Sequence, residues 1–267
     1  MIRSLKAAGL VSLLSVAAGS AFASPVINGS ILNTRVFNDF PGSSLVTVNS
    51  YPGTISFNDT NLVGTAFANR HNFRLSDSAG AAEAVFLNGD TFTVSSSVRI
   101  DGPGRAEAGL NVSPWWSQEV DGVFMINGDN GEIACFGGRL PFYSFTGNFG
   151  LTYTVGTTIR QTVEYAANGL NAVEPANIRY TYTDGSGTYQ SPWLAFDQGN
   201  PGEDPPYGLW GMLNDARVGG YAQIRGSATG PQGNTVTFGD ITYSPSVPEP
   251  TTLSLLVLGG LLSLRRR

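Results

Sequence analysis

The stretch TFTVSSSVRI, residues 91–100, alternates from end to end. Phe92, Val94, Val98 and Ile100 share one parity with Ser96, while Thr91, Thr93, Ser95, Ser97 and Arg99 take the other. Successive side chains of an extended chain point to opposite faces, so this segment reads as a strand with one buried and one wet face. TIRQTVEY at 158–165 repeats the pattern with Ile159, Val163 and Tyr165, and IRYTYT at 178–183 with Ile178, Tyr180 and Tyr182. Asp184 to Gly187, DGSG, then supplies a hairpin turn from residues that tolerate positive φ. In GVFMI, 122–126, both parities are apolar, which predicts a strand covered on both sides. In TVTFGDITY, 235–243, the apolar parity switches from Val236 and Phe238 to Ile241 and Tyr243, so a β-bulge is expected at Gly239-Asp240.

With thirty-four glycines and many Asn, Thr and Ser, the chain between its two ends reads as short strands joined by tight turns, with no helical period. The expectation is an all-β fold, a two-sheet antiparallel β-sandwich over residues 24–246. TISF, LVGTAF and NFRL, within 26–75, read as further strands that would complete the sheets.

The two ends read differently. Residues 1–23 carry Arg3 and Lys6, an apolar run from Ala7 to Ala18, and Ala21 and Ala23 before Ser24; this is the pattern of a secretory signal peptide, with its signal helix. At the other end, residues 247–267, the uncharged run Thr251–Leu264 would span roughly 21 Å as a short hydrophobic helix. That falls short of the ~30 Å hydrocarbon core. Arg265, Arg266 and Arg267 would hold its end on the cytoplasmic side, and Pro248, Glu249 and Pro250 ahead of it are stiff and extended.

Pro-Glu-Pro, a short apolar stretch with Gly259-Gly260 and a terminal arginine cluster, in that order, resemble the PEP-CTERM sorting signal of Gram-negative bacteria. The resemblance covers only the last twenty or so residues. It implies export through the Sec translocon, transient inner-membrane anchoring, recognition by an exosortase and delivery to the cell surface or its exopolysaccharide.

What the exported part lacks is as informative as what it holds. Without residues 1–23 and 248–267 the chain keeps ten basic and nineteen acidic residues, a net charge of about −9. That sign argues against nucleic acid and anionic lipid headgroups. The only lysine is Lys6, in the leader, which removes Schiff-base and P-loop chemistry. His71 is the only imidazole, so multi-histidine metal sites are excluded and one candidate base remains. It sits in ANRHNFRLSD with no nucleophile elbow around it, and reads as structural. Cys135, the only cysteine, cannot form an internal disulfide and reads as a small buried apolar residue.

From about 84 to 243, the order and spacing of strands resemble a concanavalin A-like jelly roll, as in legume lectins, laminin G-type modules and laminarinase-like glycosidases. The carriers are strand 91–100, AEAGLNV at 106–112, the pair within 156–189, YGLWGML at 207–213 and the terminal VTFGDITYS. The glycosidases of that resemblance hold their carboxylates as Glu-x-Asp-x-Glu along one strand. Here SQEVDGVFMI offers Glu119 and Asp121, but Val123 stands in the third position, so the family's acid/base is missing. Glu203 and Asp204, in NPGEDPPYG, fall in a loop.

A glycan site needs aromatic faces beside planar polar groups. NVSPWWSQEVD offers Trp115, Trp116 and Asp121, although adjacent tryptophans on a strand would face opposite ways. Trp193 and Trp210 lie in apolar contexts and read as packing residues. NGDNGE at 127–132 clusters oxygen ligands of the kind calcium takes, but reads first as a hairpin turn, so no metal residues are assigned. The expectation is therefore an exported, non-catalytic surface or matrix protein with a glycan-binding face. The alternatives are a glycoside hydrolase or lyase with an atypical site, and a purely structural matrix protein.

Overall fold

The computed structural model describes residues 24–196, 210–211 and 215–245. The leader, the Pro-Glu-Pro tail with its arginines, Glu203, Asp204 and most of 207–213 lie outside the described residues. The strands are β1 (Gly29–Asn38), β2 (Ser44–Ser50), β3 (Thr54–Leu62), β4 (Asn69–Ser76), β5 (Phe92–Asp101), β6 (Arg105–Ser113), β7 (Val123–Asn127) and β8 (Ile133–Phe136). They continue with β9 (Tyr143–Ser144), β10 (Ile159–Ala166), β11 (Asn177–Asp184), β12 (Gly187–Gln190), β13 (Leu194–Ala195), β14 (Arg217–Arg225) and β15 (Gln232–Pro245).

These strands form two antiparallel sheets. One runs β1-β4-β14-β6-β7-β8-β9; the other runs β12-β11-β10-β5-β15-β3-β2, with β13 paired to β11. This is the antiparallel sandwich that the alternation implies. The N-terminal segment completes both sheets, sending β1 and β4 to one and β2 and β3 to the other. Of the three short strands read there, LVGTAF is the exception, since beyond Leu62 it makes only a single bridge at Val63.

The parity readings hold at side-chain level. On β5, β10 and β11 the residues Phe92, Val94, Val163, Tyr165, Ile178 and Tyr180 are all buried in one core. Across the sheets Phe73 meets Phe238 edge-on at 5.0 Å, and Phe124 meets Tyr180 at 5.5 Å. Each such ring contributes about 1.5–3 kcal/mol through burial. The expected bulge is present: β15 shifts register against β5 between Gly239 and Thr242, with Asp240 at φ 47°. β7 is buried at every residue and lies between β6 and β8, as its two-sided apolar pattern requires. A one-turn helix, α1 (Phe145–Phe149), has no periodic signal in the sequence. It is set by its ends, with the Ser144 side chain accepting from the Gly147 N–H and Gly150 closing it in the left-handed region.

Two buried polar groups tie the sheets together. On β3, Asp59 faces inward and its Oδ2 lies 3.1 Å from His71 Nε2. His71 Nδ1 accepts the Arg35 N–H at 3.1 Å, which places the ring proton on Nε2, toward Asp59. Burial pushes the Asp59 carboxyl up, but hydrogen bonds from His71, Ser43 and Asn69 outweigh it and hold the group below the usual range. The second is Gln161 of β10. Its Oε1 accepts the Leu110 N–H at 2.8 Å and its Nε2 donates to the Phe124 carbonyl at 2.9 Å, so one sheet's side chain completes the hydrogen bonding of the other.

Candidate functional site

Because β4 alternates, the residues beside His71, Phe73 and Leu75 point away from the core. Arg70, Asn72 and Arg74 therefore lie on the outer face of the seven-stranded sheet. Register extends this face in rows. One row runs Phe37, Arg70, Gln223, Glu107 and Asn127; the next runs Asn33, Asn72, Tyr221, Gly109 and Met125.

An outward polar face of a sheet is ordinarily wet, yet Arg70, Asn72, Arg74, Asn111, Tyr221 and Gln223 are all at most 3% exposed. The cover is the loop between β6 and β7. Arg74 donates to the Gln118 carbonyl at 2.5 Å, Asn72 to the Glu119 carbonyl at 2.8 Å and Arg70 to the Val120 carbonyl at 2.7 Å. The Glu119 carboxylate accepts from Asn33 at 2.9 Å and Asn72 at 2.7 Å, and lies 3.7 Å from Arg74. Glu119 is thus a strut that fastens the loop to the sheet.

Beyond the loop the face opens into a cleft of about 260 Å³. Its floor is Arg70, Tyr221, Gln223 and Glu107; Phe37 and Phe67 stand on one side, Phe136 and Gly137 on the other, and Val120 to Val123 at the end. Arg70 stacks on the Tyr221 ring with its guanidinium carbon 4.3 Å from the ring centroid. Burial lowers the Arg70 pKa, and the negative charges of Glu107, Asp121 and Glu119 oppose that effect. The Tyr221 ring packs on Val123, Met125 and Ala134, which pushes its hydroxyl well above the usual tyrosine range and keeps it protonated. Among the described residues that hydroxyl, although buried, has no hydrogen-bond partner.

Glu107 completes the floor, accepting from Gln223 Nε2 at 2.6 Å and Arg225 Nη2 at 3.1 Å. Burial raises its pKa above the usual carboxylate value, even with Arg225 and Arg70 opposing. Beside Tyr221 the sheet carries no side chain at Gly109, where a Cβ would run into the Phe124 carbonyl. The cleft therefore offers a cation, an amide and a carboxylate more basic than usual, on a floor that includes Tyr221 and between aromatic walls.

Of the residues singled out from sequence as a glycan site, Asp121 lines this cleft and the two tryptophans fall beside it. Trp115 and Trp116 occupy turns of the covering loop, not a strand, so the opposite-face argument does not apply to them. Their rings meet nearly at right angles, 5.8 Å apart, with Trp115 47% exposed and the Trp116 Nε1 buried. Asp121 lines the end wall, its carbonyl accepting from the Ser113 hydroxyl at 2.7 Å. Trp193 departs from its reading as a packing residue: it is 46% exposed, beneath the Arg179 guanidinium at 4.4 Å. His71 faces the interior and cannot reach the cleft.

Cys135 is fully buried on β8, and burial pushes its thiol well above the usual range. Residues 127–132 form a turn in which Asn127 Oδ1 accepts the Asp129 N–H at 2.8 Å and Arg105 pairs with Asp129 at 2.6 Å. Among the described residues no group of three or more His, Cys, Asp or Glu side chains is placed to hold a metal ion.

No family model matches the chain, and no curated protein does. Solved structures of the same architecture do. A family 7 alginate lyase, A1-II', seen as a variant in complex with substrate, is 13% identical over 76% of this chain and 82% of its own, with a TM-score of 0.45. An alginate lyase from Corynebacterium sp. is 12% identical over 74% and 80%, with a TM-score of 0.46. The seed lectin of Lotus tetragonolobus is 9% identical over 85% and 97%, with a TM-score of 0.41. The likeness is one of fold. It corrects one expectation from sequence: alginate lyases stand beside lectins among these structures, so a non-catalytic reading cannot be taken from the sandwich. The sequence argument for that reading was the missing third carboxylate on one strand, and the cleft gathers its polar groups from three strands instead.

Proposed function

We propose that the protein is a polysaccharide lyase with an atypical site, acting on uronate-containing polymers. One observation carries the reading: the cleft floor sets the Arg70 guanidinium, a cation for a uronate carboxylate, in one cross-strand row with Gln223 and Glu107, a carboxylate whose pKa burial raises.

The chemistry follows from the floor. The uronate carboxylate meets Arg70, whose charge stabilises the negative charge that builds when the C5 proton leaves. Glu107, made more basic by burial, receives that proton. The C4–O bond breaks as the C4=C5 double bond forms, and the protonated Glu107 returns its proton to the departing glycosidic oxygen. No water enters, so the products are a saturated end and an unsaturated uronate end. Gln223 holds Glu107 in place through its 2.6 Å hydrogen bond.

The test incubates the full-length protein with polyuronates and with neutral glucans. Ultraviolet absorbance of unsaturated uronate ends, from polyuronates alone, is the expected result. Reducing ends without that absorbance would indicate hydrolysis and sink the lyase reading.

The same proposal places the activity outside the cell. Residues 1–23 and the Pro248–Arg267 tail support export, transient inner-membrane anchoring and exosortase handling, with exopolysaccharide as the nearby substrate. Replacing Arg265, Arg266 and Arg267 with alanine should leave the protein out of the surface fraction; an unchanged distribution would remove the sorting argument.

A further inference from the structure

From the shape of the cleft we infer that it is blind, and that it takes the terminal uronate unit of a chain rather than a segment from its interior. This rests on the polyuronate reading above and concerns how the polymer enters.

Three observations carry it. The loop over 114–121 crosses the sheet face and closes it, held by the Arg74, Asn72 and Arg70 hydrogen bonds to three successive carbonyls and by the Glu119 strut. Lifting the loop would break the charge-assisted contacts to the buried Arg70 and Arg74 together, so the barrier is fixed rather than yielding. The flanks are walled as well. Phe67, 56% exposed, stands proud beside Phe37 at 6.2 Å between ring centroids, with Phe136 opposite. The cleft, about 260 Å³, lies below the ~300–1,000 Å³ of a site for a drug-sized ligand, room for a sugar unit or two and not for a run of several. A polymer threading through would need an exit past the loop, whereas a chain end does not.

The measurement is a calorimetric titration of the full-length protein with homopolymeric oligouronates of graded length, alongside product sizing and viscometry on the polymer. The expected result is one protein bound per chain at every length. Cleavage should release a single small product from the earliest times, with viscosity falling slowly relative to new ends. A number of bound proteins that grows with chain length, or an early ladder of products with a rapid viscosity drop, would overturn the blind-cleft inference while leaving lyase activity intact. Absence of both binding and cleavage on every polyuronate would bring down the lyase reading, and this inference with it.

Discussion

The two outer faces of the sandwich start from the same alternation and end in opposite states. On the eight-stranded sheet the outward residues are hydroxyls such as Thr93, Ser97, Thr162, Thr181 and Thr237, all partly exposed. Its charges remain hydrated: Arg179 pairs with Glu164 at 2.7 Å near the surface, and Arg160 reaches Ser95 at 2.6 Å. On the seven-stranded sheet the outward residues are arginines, amides and a tyrosine, and they are dry. What separates the faces is the cover that one of them has acquired, because the covering loop and the aromatic walls turn an ordinary polar face into a second interior. Desolvating cations is expensive, and a face that only needed to be soluble would carry threonines, as the other does.

The sharpest way to break this contrast is to truncate one arginine on each face. Arg74→Ala should lower stability by about 3 kcal/mol, since it leaves Asn111, the Gln118 carbonyl and Glu119 without their buried partner. Arg160→Ala should stay within about 0.5 kcal/mol. Denaturant midpoints compare them directly, and equal losses would mean that the two faces are energetically alike.

Tyr221→Phe separates activity from stability on the dry face. Turnover should stay within a few fold, because Arg70 and Glu107 remain in place. The folded state should be unchanged or up to about 1 kcal/mol more stable, because an unpaired buried hydroxyl is removed. A turnover loss of about 10²-fold or more would bring the Tyr221 hydroxyl into the chemistry.

Two carboxyls give smaller effects of opposite sign with pH. The folded pKa of Glu107 is raised, so its contribution favours folding below its unfolded pKa and is lost as pH rises through the folded value. Glu107→Gln should therefore raise the melting temperature at neutral pH, with the gain fading in acid. The folded pKa of Asp59 is lowered, so its contribution is present above the unfolded pKa and is lost as pH falls through the folded value. Asp59→Asn should cost stability at neutral pH and flatten the acid limb of the melting profile. The same sign for both variants would contradict the environments described for the two groups.

Smallest of all, Thr162→Val and Thr181→Val should shift stability by no more than about 0.5 kcal/mol and leave polyuronate turnover untouched. A loss of turnover would show that the hydrated face takes part in binding.

The fold was legible where parity was strict. Phe92 to Ile100, Ile159 to Tyr165 and the phase change at Gly239-Asp240 each mapped onto a strand or a bulge, because burial on one side of a sheet leaves a period of two. The cleft was not, because its floor is assembled from β4, β6 and β14, and register between distant strands leaves no mark on any one of them. Two signals were present. In RHNFRL the polar parity holds Arg70 and Arg74, and in GGYAQIR it holds Tyr221, Gln223 and Arg225, groups a merely hydrated strand has little use for. Searching one strand for three carboxylates looked along the chain for something built across it, and the adjacent tryptophans drew attention to the loop rather than to what the loop covers.

Cys135 offers a clock for this molecule. Its thiol is the only one in the chain, is fully buried on β8 and is pushed far from ionisation, so an alkylating reagent reaches it only after the seven-stranded sheet has opened. Its labelling rate, with no residue introduced, therefore counts openings of the sheet that carries the cleft. A polymer end seated on Arg70 should slow that count by the ratio of total to free protein, reporting occupancy without following any reaction.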